Sequence, residues 1–122
     1  MKESRAYPTT TYNAYRAKVS DGKSVNVVAE EKTDAGTFYE FGGFFGPAMQ
    51  SVAKDDEVIL AIEQAEYETD QIVAEDDFEV GDKVYFKEGK FTTVADDARL
   101  VGRVTQGKDG NNVIWFILGP QV

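Results

Sequence analysis

Short apolar segments with a period of two dominate the chain after residue 15, and they predict β-strands. Residues 57–62, Glu-Val-Ile-Leu-Ala-Ile, form a nearly continuous apolar run that predicts a buried strand. Residues 65–72 alternate apolar and polar side chains as far as Thr69, which is typical of a strand with one solvated face. β-Branched residues at 25–28 and aromatic residues at 37–41 favour two further strands.

The carboxyl-terminal part of the chain predicts two β-hairpins. Apolar segments at 83–86 and 91–94 flank a four-residue connection that contains Gly89, as in a tight hairpin turn. Segments at 100–105 and 113–118 flank a longer connection of glycine, aspartate and asparagine, which tolerate positive φ angles. Both connections therefore favour antiparallel pairing of the strands beside them.

The closing segment is apolar at six consecutive positions, from Val113 to Leu118. We expect such a run to be covered on both faces, by the core on one side and by another chain or a loop on the other. Trp115, in the middle of the run, is accordingly expected to be a core residue rather than a platform for a sugar ring.

Helical periodicity is nearly absent, because the best helical window, residues 47–54, is short and adjoins glycine. The predicted fold class is all-β: a small single-domain barrel or sandwich of short antiparallel strands with an extended N-terminal arm. We place the β domain at residues 16–122 and the arm at residues 1–15.

The arm, residues 1–15, differs in kind from the rest of the chain, with a proline, a run of three threonines and no regular apolar period. Two interpretations stay open. The arm is either a frayed terminus or a segment that orders on a partner through tyrosines, which are enriched at protein interfaces. The basic and aromatic side chains in and beside it are Lys2, Arg5, Tyr7, Tyr12, Tyr15 and Arg16.

The composition excludes several classes of chemistry. The 122 residues include neither cysteine nor histidine, so the chain has no disulfide, thiolate nucleophile or imidazole base, and no metal ligand of either type. The glycines form neither a GxGxxG nor a Walker sequence. We predict that the protein is not an enzyme and has no catalytic residue, metal site or cofactor. A hydrolase built on two facing carboxylates is the enzymatic alternative.

Charge is distributed unevenly. The formal net charge of −9 works against nucleic acid and against anionic membranes as partners. Twelve carboxylates and no basic residue lie in the acidic segment, residues 55–82. We interpret this segment as a solvated face, with a docking surface for a basic partner or a weak cation site as alternatives. No apolar run is long enough for a bilayer span or a secretory signal, so we expect a soluble protein made in the cytoplasm.

Glycines and strands follow one another in a fixed order along residues 17–120. The segments that define this order are Gly36-Thr37-Phe38-Tyr39, Gly42-Gly43-Phe44-Phe45-Gly46, residues 56–63, residues 65–68, Val80-Gly81-Asp82-Lys83-Val84-Tyr85-Phe86, Leu100-Val101-Gly102-Arg103-Val104 and residues 113–118. The order resembles that of the small capsid cement proteins of tailed bacteriophages. The chain departs from the family pattern at Ala35, Pro47, Asp55-Asp56 and Ala65.

This resemblance implies a structural role in the virion. A cement protein of this kind is an all-β domain that binds the major capsid protein on the outer surface of the head, as a homotrimer, and stabilises the shell without a cofactor. We expect the arm to contact the capsid through Arg5, Tyr7, Tyr12, Tyr15 and Arg16. We expect Trp115 and Phe116 to lie at the interface between subunits. An attachment or carbohydrate-binding module, such as the base of a head fibre, is the alternative function.

Overall fold

The computed structural model describes residues 17–121, and this part of the chain is nearly all β, which confirms the predicted fold class. No helix within it is long and apolar enough to cross a membrane. Its nine strands are β1 (Ser24–Val28), β2 (Phe38–Phe41), β3 (Phe44–Pro47), β4 (Glu57–Ala61), β5 (Glu66–Thr69), β6 (Lys83–Lys87), β7 (Lys90–Thr92), β8 (Arg99–Gln106) and β9 (Ile114–Leu118).

The largest sheet has five strands in the order β5-β9-β8-β6-β7, with antiparallel neighbours throughout. Its two edges meet, because the chain that leaves β5 runs beside β7. There the Phe91 N–H donates to the Gln71 carbonyl over 2.8 Å, and the Val73 N–H donates to the Phe91 carbonyl over 2.9 Å. Ile72 and Phe91 form a parallel bridge between these bonds. The sheet therefore closes on itself as a small barrel, one of the two predicted architectures.

Both predicted hairpins are present in the barrel. Glu88 and Gly89 join β6 to β7 with φ angles of 51° and 80°, the left-handed pair that a two-residue hairpin turn requires. In the longer connection between β8 and β9, the Asp109 carboxylate accepts hydrogen bonds from the N–H groups of Asn111 (2.8 Å) and Val113 (3.0 Å). Local sequence thus determines both turns.

The β2–β3 hairpin connects two hydrophobic cores. Phe38 and Phe45 on one of its faces enter the barrel core, where the ring centroids of Phe45 and Phe86 lie 4.7 Å apart. Tyr39 and Phe41 on the opposite face enter a second core, which is completed by the two-stranded sheet of β1 and β4. Because its two faces are buried in different cores, the hairpin fixes the smaller sheet on the barrel.

Two glutamine side chains hold the two strands of this hairpin. The Gln71 carboxamide accepts from the Phe38 N–H (2.9 Å) and donates to the carbonyls of Phe38 (2.9 Å) and Gly89 (3.0 Å). The Gln121 carboxamide accepts from the Phe45 N–H (2.8 Å) and donates to the Phe45 carbonyl (3.0 Å). Each carboxamide takes the place of a peptide group in a neighbouring strand. It forms hydrogen bonds with backbone groups that are not paired with another strand.

We expect Gly46→Ala to destabilise the fold. The added methyl group would overlap the Ala61 carbonyl oxygen, a backbone atom that cannot move without separating β3 from β4. Overpacking of this kind costs about 1–3 kcal/mol or more. Gly110→Ala, with nothing within 4 Å of the new methyl group, is the matched control and should change the free energy of unfolding by less than about 0.5 kcal/mol. Denaturant unfolding measures both, and equal stabilities would contradict the close approach.

Gln71→Glu should also lower stability, although it preserves the shape of the side chain. A carboxylate can still accept from the Phe38 N–H, but it cannot donate to the carbonyls of Phe38 and Gly89. We expect the free energy of unfolding to fall by about 1–3 kcal/mol at neutral pH. The exposed Gln64→Glu adds the same charge and serves as the control in thermal and denaturant unfolding. If the two variants were equally stable, the Gln71 bonds would contribute nothing.

Candidate functional site

Large apolar side chains lie exposed on the outer face of the barrel. Along β9, Ile114, Phe116 and Leu118 are buried, whereas Trp115 and Ile117 point outward and keep 38% and 46% of their surface exposed. Leu100 on β8 is 52% exposed on the same face. The prediction that Trp115 is a core residue is therefore wrong. Within residues 17–121, the closing strand is covered on one face only.

Charged side chains flank this apolar centre in a definite order. The pairing registers place Glu66 of β5 opposite Ile117, Ile117 opposite Arg103 of β8, and Arg103 opposite Lys83 of β6. A second row places Glu68 opposite Trp115. The outer face thus runs from an acidic flank (Glu66 and Glu68) through an apolar centre (Leu100, Trp115 and Ile117) to a basic flank (Lys83 and Arg103).

A groove of about 430 Å³ lies between the apolar centre and the basic flank. Its walls include Lys83, Leu100, Ile117 and Pro120. Gly102 lies in its floor, where a methyl group would overlap the Ile117 carbonyl oxygen. Glycine at this position lets β8 and β9 approach closely and leaves room above them.

The four flanking charges take no part in the ion pairs found within residues 17–121. Those pairs join Lys18 to Asp21, Lys23 to Glu63, and Arg99 to Glu40. Glu66 instead accepts a hydrogen bond from the Thr105 hydroxyl (2.6 Å). Arg103 donates to the Gly81 carbonyl (2.7 Å). Both flanks therefore keep a net charge that no acid–base contact of the described chain cancels.

The predicted site residues fall into three groups. The arm residues lie outside the described part of the chain. Phe116 is fully buried in the barrel core, 4.8 Å from Phe91 between ring centroids, so its side chain is not presented to another subunit. Trp115 is on the surface and stays a predicted interface residue. The residues predicted to contact the capsid, which lie outside the described part of the chain, are Arg5, Tyr7, Tyr12, Tyr15 and the adjoining Arg16.

Several members of the acidic segment serve the fold. The Asp76 carboxylate accepts from the Thr92 hydroxyl, and the Asp82 carboxylate accepts from the Glu79 N–H over 3.1 Å. Lys108 donates to the carbonyls of Ala74 (2.6 Å) and Asp76 (2.9 Å). Among the residues described, no group of three or more His, Cys, Asp or Glu side chains is placed to hold a metal ion.

Sequence reasoning missed the flanking charges and the exposure of the apolar centre. The alternation in residues 65–69 did indicate that Glu66 and Glu68 share a solvated face. The partners of these acids could not be assigned, because register shifts at Val84/Tyr85 and Val104/Gln106 change which residues of β6 and β8 face outward.

Comparison with known proteins connects this fold to a family. A family model described as phage cement protein matches residues 19–119, a range that includes all nine strands. No curated protein and no solved structure matches the chain.

Tyr67 lies between Glu66 and Glu68 on β5 and faces the opposite side of the sheet. It therefore tests the alternation that directs these two acids outward. Its ring points inward and packs on Phe38, with 5.7 Å between the ring centroids. Burial, and secondly the charge of Glu63, raises the pKa of Tyr67 above its usual value of 10.0. A raised pKa means that the folded state prefers the neutral phenol. The stability it contributes is therefore complete below pH 10 and is lost as the pH rises through the folded pKa.

We expect Tyr67→Phe to flatten this alkaline loss of stability. Unfolding of both proteins in denaturant at pH values from neutral to strongly alkaline measures the difference. A difference in stability that does not change with pH would contradict an inward-facing Tyr67.

Proposed function

The chain belongs to the family of phage cement proteins, and we propose that it binds the major capsid protein on the outer surface of a bacteriophage head and stabilises that head. Membership gives the chain a structural role at the capsid, in a family of structural proteins rather than of enzymes. It confirms the resemblance found in the order of glycines and strands. The match over residues 19–119 is the observation that carries the proposal.

The fold supports a mechanical role. A barrel closed through the Ile72–Phe91 bridge must break the two backbone hydrogen bonds that join Phe91 to Gln71 and Val73 before it opens at this seam. The β2–β3 hairpin is fixed by buried aromatic rings and by two glutamine side chains. A small domain built in this way resists deformation, which a protein that reinforces a pressurised shell needs.

The contact with the shell is assigned to the arm, residues 1–15, together with Arg16. Tyrosine combines a large apolar ring with a hydroxyl that can hydrogen-bond, so Tyr7, Tyr12 and Tyr15 suit a partly polar protein surface. Arg5 and Arg16 add donors that match carboxylates. The β domain, which the proposal begins at residue 16, then keeps its many carboxylates toward solvent, where they limit aggregation of decorated particles.

The functional unit of the proposal is a homotrimer, made in the host cytoplasm and added to the virion. An exposed tryptophan beside Ile117 and Leu100 is uncommon on a small monomeric domain, since contiguous exposed apolar patches mark interaction surfaces. Symmetric association is also the usual arrangement for one chain repeated on a lattice.

Binding to heads tests this function. We expect the full chain to co-sediment with undecorated heads of its phage and to raise the temperature at which they release DNA. Deletion of residues 1–14, or joint replacement of Tyr7, Tyr12 and Tyr15 by serine, should weaken binding at least about tenfold, or 1.4 kcal/mol. Val94→Ser, an exposed apolar change in the β domain, is the control.

The two parts of the proposal fail separately. A full-length protein that does not co-sediment with any matching head would refute the cement function. A deletion variant that binds as tightly as the full chain would refute only the role of the arm.

A further inference from the structure

We propose that the outer face of the barrel joins copies of this chain, with the acidic flank of one copy against the basic flank of the next. This rests on the homotrimer of the proposed function and names the surface that forms it. The acidic flank is Glu66 and Glu68, and the basic flank is Lys83 and Arg103. The apolar centre between them is Leu100, Trp115 and Ile117.

Charges of like sign are adjacent within each flank. Lys83 and Arg103 are directly opposite each other on β6 and β8, and such like-charge pairs are unfavourable. Glu66 and Glu68 lie two residues apart on β5, so both carboxylates face the same side of the sheet. Each flank therefore concentrates one sign of charge, and a partner of the opposite sign relieves the repulsion.

The two flanks form no ion pair with each other within residues 17–121. Between β5 and β6 lie β9 and β8, so the backbones of the two flanks are three strand spacings apart, about 14 Å, although the Glu66 carboxylate reaches the Thr105 hydroxyl of β8. The Debye length at physiological ionic strength is about 8 Å. In the part of the chain that the structure describes, no ion pair neutralises these charges, so they are available to a partner of complementary charge.

The pattern of this face specifies the partner. A partner surface that carries only one sign of charge would attract one flank and repel the other. An apolar partner surface would remove water from the charges of both flanks without replacing it. The matching surface carries an acidic and a basic flank on either side of an apolar centre, and a second copy of the chain has this surface. Trp115 projects from the same face that holds the groove beside Leu100, so a projection and a recess are available to each contact.

The curvature of the barrel favours a ring over a face-to-face pair. The outer face of a closed sheet is convex, so two copies meeting centre to centre would hold their flanks apart. In a ring, each copy offers its acidic flank to one neighbour and its basic flank to the other, and the apolar centres converge near the axis. Such head-to-tail contacts form a ring when the rotation between neighbours closes, and the proposed function sets the number of copies at three.

Charge reversal and charge exchange test the contact in solution, without capsids. Light scattering during gel filtration should give the wild-type chain a mass of three times 13.5 kDa. Glu66→Lys with Glu68→Lys should yield monomers at the same concentration, and Lys83→Glu with Arg103→Glu should do the same. The variant with all four changes exchanges the flanks and should regain the trimer, with a dissociation constant within about tenfold of wild type.

The matched control is Glu30→Lys with Glu31→Lys, which changes the net charge as the first variant does but at exposed positions before β2. It should remain trimeric. Circular dichroism and thermal unfolding establish that every variant is folded, and the outward position of the four side chains makes large losses of stability unexpected.

Two results would overturn the inference: a monomeric wild-type chain at high micromolar concentration, or a folded four-change variant that fails to reassemble. Neither depends on the capsid. Heads that do not bind a trimeric wild-type chain would instead refute the proposed function and leave the copy-to-copy contact standing.

Discussion

Closure of the five-stranded sheet is the constraint on which the other features depend, and it passes through Gln71. The Gln71 carbonyl accepts from Phe91 to bring β7 beside the chain leaving β5. The side chain of the same residue binds the backbone of Phe38 and fixes the hairpin whose aromatic rings complete the barrel core. One residue thus joins the closing seam to the hairpin, so neither can shift without disturbing the other.

A closed barrel directs every second side chain outward, and this determines where contacts with other proteins can form. Inward positions are filled by phenylalanine and aliphatic residues from β6, β7, β8, β9 and the β2–β3 hairpin, with Tyr67 of β5 packed against them. The exposed indole of Trp115 and the side chains of Leu100 and Ile117 are therefore not left over from an incomplete core, because the core is complete without them. In the proposed contact between copies, their burial, at about 25 cal/mol per Å², adds to the charge complementarity of the flanks.

The sequence was sufficient for most strands, for the two carboxyl-terminal hairpins and for the fold class, because these follow from local alternation and turn chemistry, whereas β3 and its hairpin with β2 were not predicted. Gly89 and Asp109, for example, determine their turns through neighbouring residues alone. The orientation of Trp115 could not be obtained in this way, since six consecutive apolar residues have the same pattern whether one face or both faces are buried. The basic flank depends on two register shifts and on pairing between distant strands. The predicted arm residues lie outside the part of the chain that the structure describes.

The net charge of −9 does not describe the charge of any one surface, because the acidic and basic side chains lie in different places. Between β5 and β6 the outer face carries two acids and two bases in separate flanks, and in the proposed contact these flanks are complementary between copies despite the net negative charge. In the proposed ring this face joins the copies, and the arms remain available for the shell. In this proposal three linked arms bind together with an effective concentration set by the ring, so that individually weak contacts give an avidity about 10²–10⁴ above that of a single arm. Trimer formation then favours capsid binding, because the barrels of the ring set the spacing of the arms.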